Sequence, residues 1–160
     1  MPLFKNRNDV FILPEGGSNA AAVAGAGEIM DEIPGSCNYI ACACGTGATI
    51  AGISKKLLPH QKAIGISVLK ANGYFEREIE SLGGNLKNII LNYDYHFGGY
   101  AKKNKFLIDF CNHFVSETNI PIEPVYTGKL FYAIDDLIKN NYFEKGSKVT
   151  LIHTGGVFFI

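Results

Sequence analysis

The segment Ala43-Cys44-Gly45-Thr46-Gly47-Ala48-Thr49-Ile50-Ala51-Gly52 carries the residue types with the clearest chemical use, the binding of a phosphate. It follows the apolar run Tyr39-Ile40-Ala41-Cys42-Ala43, which reads as a buried strand, and leads into 49–58, which reads as a helix closed by Pro59. A strand, a glycine turn and a helix start together aim several backbone N–H groups at one point, at the positive end of a helix dipole. Gly45 and Gly47 permit left-handed backbone and close approach of an anion, while Thr46 and Thr49 add hydroxyl donors. Taken locally, the same residues also suit a glycine turn that only packs tightly.

Three further clusters have a similar make-up: Gly16-Gly17-Ser18-Asn19, Tyr126-Thr127-Gly128 and Thr154-Gly155-Gly156. The elements that must position them alternate between strand and helix. Apolar runs predict strands over 10–13, 39–43, 62–68, 88–92 and 148–152. Helical spacing predicts helices over 20–33, 49–58, 74–82, 102–118 and 129–140, the first capped by Ser18 or Asn19. Such alternation argues for an α/β domain of three layers with a mostly parallel sheet. Ligands gather at the carboxyl ends of the strands in such sheets, so the four clusters are expected to share one pocket.

Bulk properties narrow the function. At 160 residues the chain has the length of one domain, and its 15 Lys and Arg balance 15 Asp and Glu. That balance gives no electrostatic case for nucleic acid or an anionic membrane as a partner. The first nine residues lack the apolar core of a secretion signal, and the longest uncharged run, 33–54, is broken by Pro, Gly, Ser and Asn. A cytoplasmic protein is expected. The four cysteines, Cys37, Cys42, Cys44 and Cys111, lack metal-site or redox spacing and read as small buried hydrophobes, so no metal is expected. His60, His96 and His113 stand singly and read as surface or packing residues.

A dinucleotide site is the simplest rival, because Gly45-Thr46-Gly47 begins like the dinucleotide fingerprint. Ile50 stands where that fingerprint needs its third glycine or an alanine. The next strand runs into Ser67-Val68-Leu69-Lys70, without an acid for a ribose hydroxyl.

Four motifs in order carry a resemblance: Pro14-Glu15-Gly16-Gly17-Ser18-Asn19, the Cys44 to Gly52 segment, Glu123-Pro124-Val125-Tyr126-Thr127-Gly128-Lys129 and Ile152-His153-Thr154-Gly155-Gly156. Together the chain resembles the 1-aminocyclopropane-1-carboxylate deaminase and D-cysteine desulfhydrase group of pyridoxal-phosphate enzymes, which share the tryptophan-synthase-β (type II) fold. The resemblance runs from about residue 10 to 156. It implies pyridoxal 5'-phosphate as cofactor and a small amino acid as substrate. Gly45, Thr46, Gly47, Ala48 and Thr49 resemble the cup for the cofactor's phosphate. Tyr126 matches a tyrosine near the cofactor ring and substrate, with a catalytic role, and Asn19 falls in a substrate-binding motif. Thr154 matches the hydroxyl residue at the pyridine nitrogen of desulfhydrase-like members, where a neutral group makes the ring a milder electron sink. Thr127 follows Tyr126 where deaminases tend to carry Glu, which tilts the expected substrate towards D-cysteine or a related D-amino acid.

The family's cofactor-binding lysine lies in a Ser-Gly-Asn-Lys type of motif ahead of the stretch matching Pro14, and no such motif occurs in this sequence. The expectation is a C-terminal portion of a family enzyme, inactive alone, with a non-catalytic cofactor- or phosphate-binding remnant as the alternative. Apolar runs at 10–13 and 157–160 would then be exposed, and self-association is expected.

Overall fold

The computed structural model describes residues 9, 10 and 12–156. Four strands, β1 (Tyr39–Cys44), β2 (Lys62–Ser67), β3 (Ile89–Asn92) and β4 (Val149–Leu151), form one sheet among the described residues. Their order is β3-β2-β1-β4 and every pairing is parallel, with Ala41 of β1 opposite Ile64 of β2 and Leu151 of β4. The helices are α1 (Ala20–Glu28), α2 (Ala48–Ser54), α3 (Tyr74–Ser81), α4 (Lys105–Thr118) and α5 (Thr127–Lys139).

Alternation along the strands divides the core in two. Ile40, Cys42 and Cys44 of β1 face α1, α2 and α3, packing with Val23, Ile50, Ile53, Phe75 and Ile79. Ala41 of β1 and Ile64 and Ile66 of β2 face the other way, onto Leu130, Ile134 and Leu137 of α5. Helix α4 adds Leu107 and Cys111, in a smaller cluster with Phe131 and Tyr132 of α5. Helices on both faces of a parallel sheet give the expected three layers. The first layer is tight: a Cβ on Gly52 of α2 would stand 2.7 Å from the Gly27 nitrogen and 2.9 Å from Ala26 Cβ of α1. All four cysteines are buried and free.

The structure corrects some boundaries. Among the described residues of the 10–13 run no strand forms: Val10, Ile12 and Leu13 are outside the sheet, and Phe11 lies outside the described residues. Ile12 and Leu13 are 50% and 69% exposed, and a 3₁₀ turn, Glu15–Gly17, follows Pro14. An apolar run becomes a strand only where a neighbouring strand receives it, which local pattern cannot reveal. The first helix ends at Glu28 and continues as a 3₁₀ turn, Ile29–Asp31, ahead of Pro34. Helix α4 starts at Lys105, where the Asn104 side chain accepts from the Leu107 N–H at 2.9 Å. The apolar run 157–160 lies outside the described residues.

Candidate functional site

The chain leaves the carboxyl end of β1 through Gly45 and Thr46 and enters α2 at Gly47, which holds φ +89 and offers no side chain to cap the helix. The first N–H groups of α2 are therefore open to an external acceptor. Gly45 serves a second purpose. A Cβ there would stand 2.9 Å from Tyr126 Cε1 and 3.0 Å from the Tyr126 hydroxyl, so this ring lies directly on the loop backbone. On the opposite side, the Ser18 hydroxyl donates to Thr46 Oγ1 at 2.6 Å, tying the Gly16 segment to the loop.

These contacts enclose a cavity of about 170 Å³. Gly45, Thr46, Gly47, Ala48 and Thr49 line it, with Gly16 on one side and Tyr126 and Thr154 on the other. All four clusters singled out in the sequence thus contribute to one pocket. Only two of them follow strands, β1 and β4; the Gly16 and Tyr126 clusters precede helices α1 and α5 instead. Two larger cavities adjoin. One, of about 370 Å³, lies between Tyr100, Glu123, Tyr126 and the Thr154-Gly155-Gly156 turn. The other, of about 730 Å³, is bordered by Glu15, Ser18, Tyr74, Glu78, Tyr100 and Tyr126. Tyr126 borders all three cavities.

The position of Tyr126 follows from Glu123, whose buried carboxylate caps α5. Glu123 Oε1 accepts from the N–H groups of Tyr126 and Thr127 at 2.8 and 2.9 Å, and Thr127 Oγ1 accepts from the Glu123 N–H at 2.9 Å. This reciprocal cap explains why α5 begins two residues before the helical spacing suggests. It also buries Thr127, which borders none of the three cavities. Burial, and next a hydrogen bond with Tyr100, pushes the Tyr126 phenol up to about 12. At neutral pH it is a protonated hydroxyl, able to donate or return a proton. Thr154 is carried by the turn after β4, where the Gly155 N–H donates to His153 Nδ1 at 3.1 Å and His153 Nε2 meets the Pro121 carbonyl at 2.8 Å.

Asn19 is placed differently. Its Oδ1 accepts from the Ala22 N–H at 2.9 Å as the cap of α1, and it borders none of the three cavities. The structure adds Tyr100 and Glu15, which sequence reasoning did not select individually, and Ser18, which it named only as a possible helix cap. Tyr100 sits in a glycine-containing aromatic loop and meets Tyr126 edge to face, with ring centroids 5.9 Å apart. The only sequence signal for it is that loop. Among the described residues no lysine borders any of the three cavities. Lys129 is fully buried, and its Nζ donates to backbone carbonyls.

A parallel α/β sheet with a glycine-lined cradle at the end of β1 and a tyrosine against it defines a class. The chain belongs to the pyridoxal-phosphate dependent enzyme family, whose pattern matches residues 3–155. Among its relatives, a putative 1-aminocyclopropane-1-carboxylate deaminase of Pyrococcus furiosus is 34% identical over 92% of this chain and 50% of its own length. A bifunctional D-cysteine desulfhydrase/1-aminocyclopropane-1-carboxylate deaminase of Arabidopsis thaliana, mitochondrial, is 31% identical over 97% of this chain and 43% of its own. The crystal structure of an ACC deaminase homologue superposes with a TM-score of 0.72 at 31% identity, covering 92% of this chain and 49% of that one. The chain spans about half the length of the relatives it matches.

The cradle fits the cofactor of this family. Open helix-start amides and the Thr46 and Thr49 hydroxyls suit a phosphate, and the space continues past Tyr126 to Thr154. Among the described residues no helix is long and apolar enough to cross a membrane.

Proposed function

We propose that this chain binds pyridoxal 5'-phosphate between the Gly45–Thr49 loop, Tyr126 and Thr154, and serves the deamination or desulfhydration of a small amino acid of the 1-aminocyclopropane-1-carboxylate or D-cysteine type. The observation that carries the reading is the meeting of four sequence-distant clusters at one cavity of about 170 Å³, with Tyr126 at its junction with two larger ones. When bound, the cofactor supplies an electron sink for reactions at the amino acid's α-carbon.

The chain's own groups divide the work. Backbone amides at Gly47, Ala48 and Thr49, with the hydroxyls of Thr46 and Thr49, hold the phosphate. Tyr126 flanks the ring and keeps a proton on its hydroxyl at neutral pH, in contact with Tyr100. Thr154 offers a neutral hydroxyl to the ring nitrogen. The Asn19 Oδ1 is committed to the α1 cap, and because the residue borders none of the three cavities it is given no contact with cofactor or substrate in this reading. The preference for D-cysteine rests on Thr127, and because that side chain turns into the α5 cap, its influence runs through the placement of Tyr126. The four free cysteines support a reducing, cytoplasmic compartment, and the exposed Ile12 and Leu13 support self-association.

Titration with pyridoxal phosphate and with phosphate-free pyridoxal tests the reading. The phosphate form is expected to bind at least about tenfold more tightly, a difference of about 1.4 kcal/mol. D-Cysteine should perturb the bound cofactor's visible spectrum more than 1-aminocyclopropane-1-carboxylate does. Equal binding of both pyridoxal forms contradicts the proposed cup. Borohydride reduction with mass mapping should give no stoichiometric pyridoxyl adduct on Lys129, whose amine faces carbonyls and no cavity.

A further inference from the structure

Lys129 is a cation on α5 with no solvent exposure. Its Nζ donates to the carbonyls of His96 and Gly99, each at 2.8 Å, and to that of Val68 at 3.4 Å. An ammonium has three N–H donors, and here all of them are used on backbone. Two acceptors belong to the turn before Tyr100 and the third to the chain just past β2. The same two segments also touch elsewhere: a Cβ on Gly99 would stand 3.7 Å from Lys70 Cβ. The turn is held in a costly form, with Phe97 and Ala101 on either side of Tyr100 at φ +54 and +53. Left-handed backbone at non-glycine residues persists where surrounding contacts over-determine it. Tyr100, 57% exposed, has little packing of its own to do so.

We propose that Lys129 is a positioning residue: its ammonium clasps the 96–101 turn to the end of β2 and thereby holds the Tyr100 ring against Tyr126 at the mouth of the site. The inference rests on the reading of Tyr126 as a site residue. Lys129 contacts neither cofactor nor substrate in this arrangement; it acts through the turn.

The test follows the tyrosine rings by NMR of the chain carrying ring-labelled tyrosine, assigned by single Tyr→Phe substitutions. Burial first, and then the hydrogen bond with Tyr100, push the Tyr126 phenol up to about 12. Tyr100→Phe should lower that midpoint, and Lys129→Met should lower it comparably while Tyr100 keeps its hydroxyl. A Tyr126 midpoint lowered by Tyr100→Phe but unmoved by Lys129→Met overturns the proposal.

If Lys129→Met does not fold, the native chain answers the same question through a pH titration following the Lys129 Nζ. Burial brings this amine down to about 8, against the opposing charge of Glu123. Other ionisable groups nearby include His96 in the turn, Lys70 beside Gly99, Lys102 beside Gly98, Tyr132 against Phe97, and Cys111 of α4 beside Gly128. Tyr100 and Tyr126 resonances that shift with the Lys129 midpoint support the clasp; rings that stay still, or follow only these other groups, refute it. Cofactor binding is read separately by titration, so a chain that binds no pyridoxal phosphate while its rings follow Lys129 fails the proposed function and not the clasp.

Discussion

Gly45 and Tyr126 are 81 positions apart in the chain and touch, and this contact makes the site sensitive to a single methyl group. Gly45→Ala would drive a Cβ to 2.9 Å from the ring, and the phenol must swing away to admit it. Pyridoxal-phosphate affinity should fall by about tenfold, on the order of 1.4 kcal/mol, with the urea midpoint little changed because the ring lies at a cavity edge. Affinity unchanged in a binding titration would show that Tyr126 does not flank the bound ring. At this scale the strand, glycine turn and helix start of the proposed cup were readable from sequence, because they are contiguous there. Tyr100 and Ser18 were not, since their partners, Tyr126 and Thr46, are brought to them by the fold alone. Asn19 was readable as a cap, a local hydrogen bond, more readily than as a group aimed at a ligand.

Among elements, the α1–α2 contact depends on backbone meeting backbone at Gly52. Gly52→Ala places its methyl 2.7 Å from the Gly27 nitrogen, also in van der Waals conflict with the Val23 carbonyl, so the helices must part. Overpacking of this kind costs about 1–3 kcal/mol, which equilibrium urea unfolding would detect. Wild-type stability in this variant would mean that the two helices separate freely. Because α2 carries the amides of the cup, cofactor affinity should fall along with stability. Strands β1 and β2 were legible as long apolar runs buried on both faces. In the 10–13 run, of similar composition, the described residues Val10, Ile12 and Leu13 join no strand, as pairing partners are chosen by the whole sheet. The start of α5 was displaced for the opposite reason: the Glu123 cap is local, but proline and glycine around it masked the signal.

For the whole molecule, buried ionisable groups set how stability changes in alkali. Burial raises the Cys111 thiol from 9.0 to about 11, with the nearby charge of Glu123 adding to the shift. Between these values the unfolded chain releases a proton that the folded chain keeps, so stability falls as pH rises. Lys129 works in the other direction. Its amine goes from 10.5 to about 8 on folding, so the unfolded chain holds the extra proton over that window and stability gains as pH rises. Urea midpoints measured between pH 8 and 11 should therefore decline less steeply in Cys111→Ala and more steeply in Lys129→Met than in the native chain. Identical slopes in all three would contradict the burial of both groups.

The proposed binding mode has the loop from Gly45 to Thr49 hold the phosphate of pyridoxal 5'-phosphate. Calorimetric titration of the cofactor into the native chain and into Gly47→Asp tests it most directly, with circular dichroism to confirm that the variant is folded. A carboxylate in the cup opposes the phosphate charge at short range. Saturable binding to the native chain is expected, with a loss of at least about tenfold, roughly 1.4 kcal/mol, in the folded variant. Equal affinity for the two proteins would contradict it.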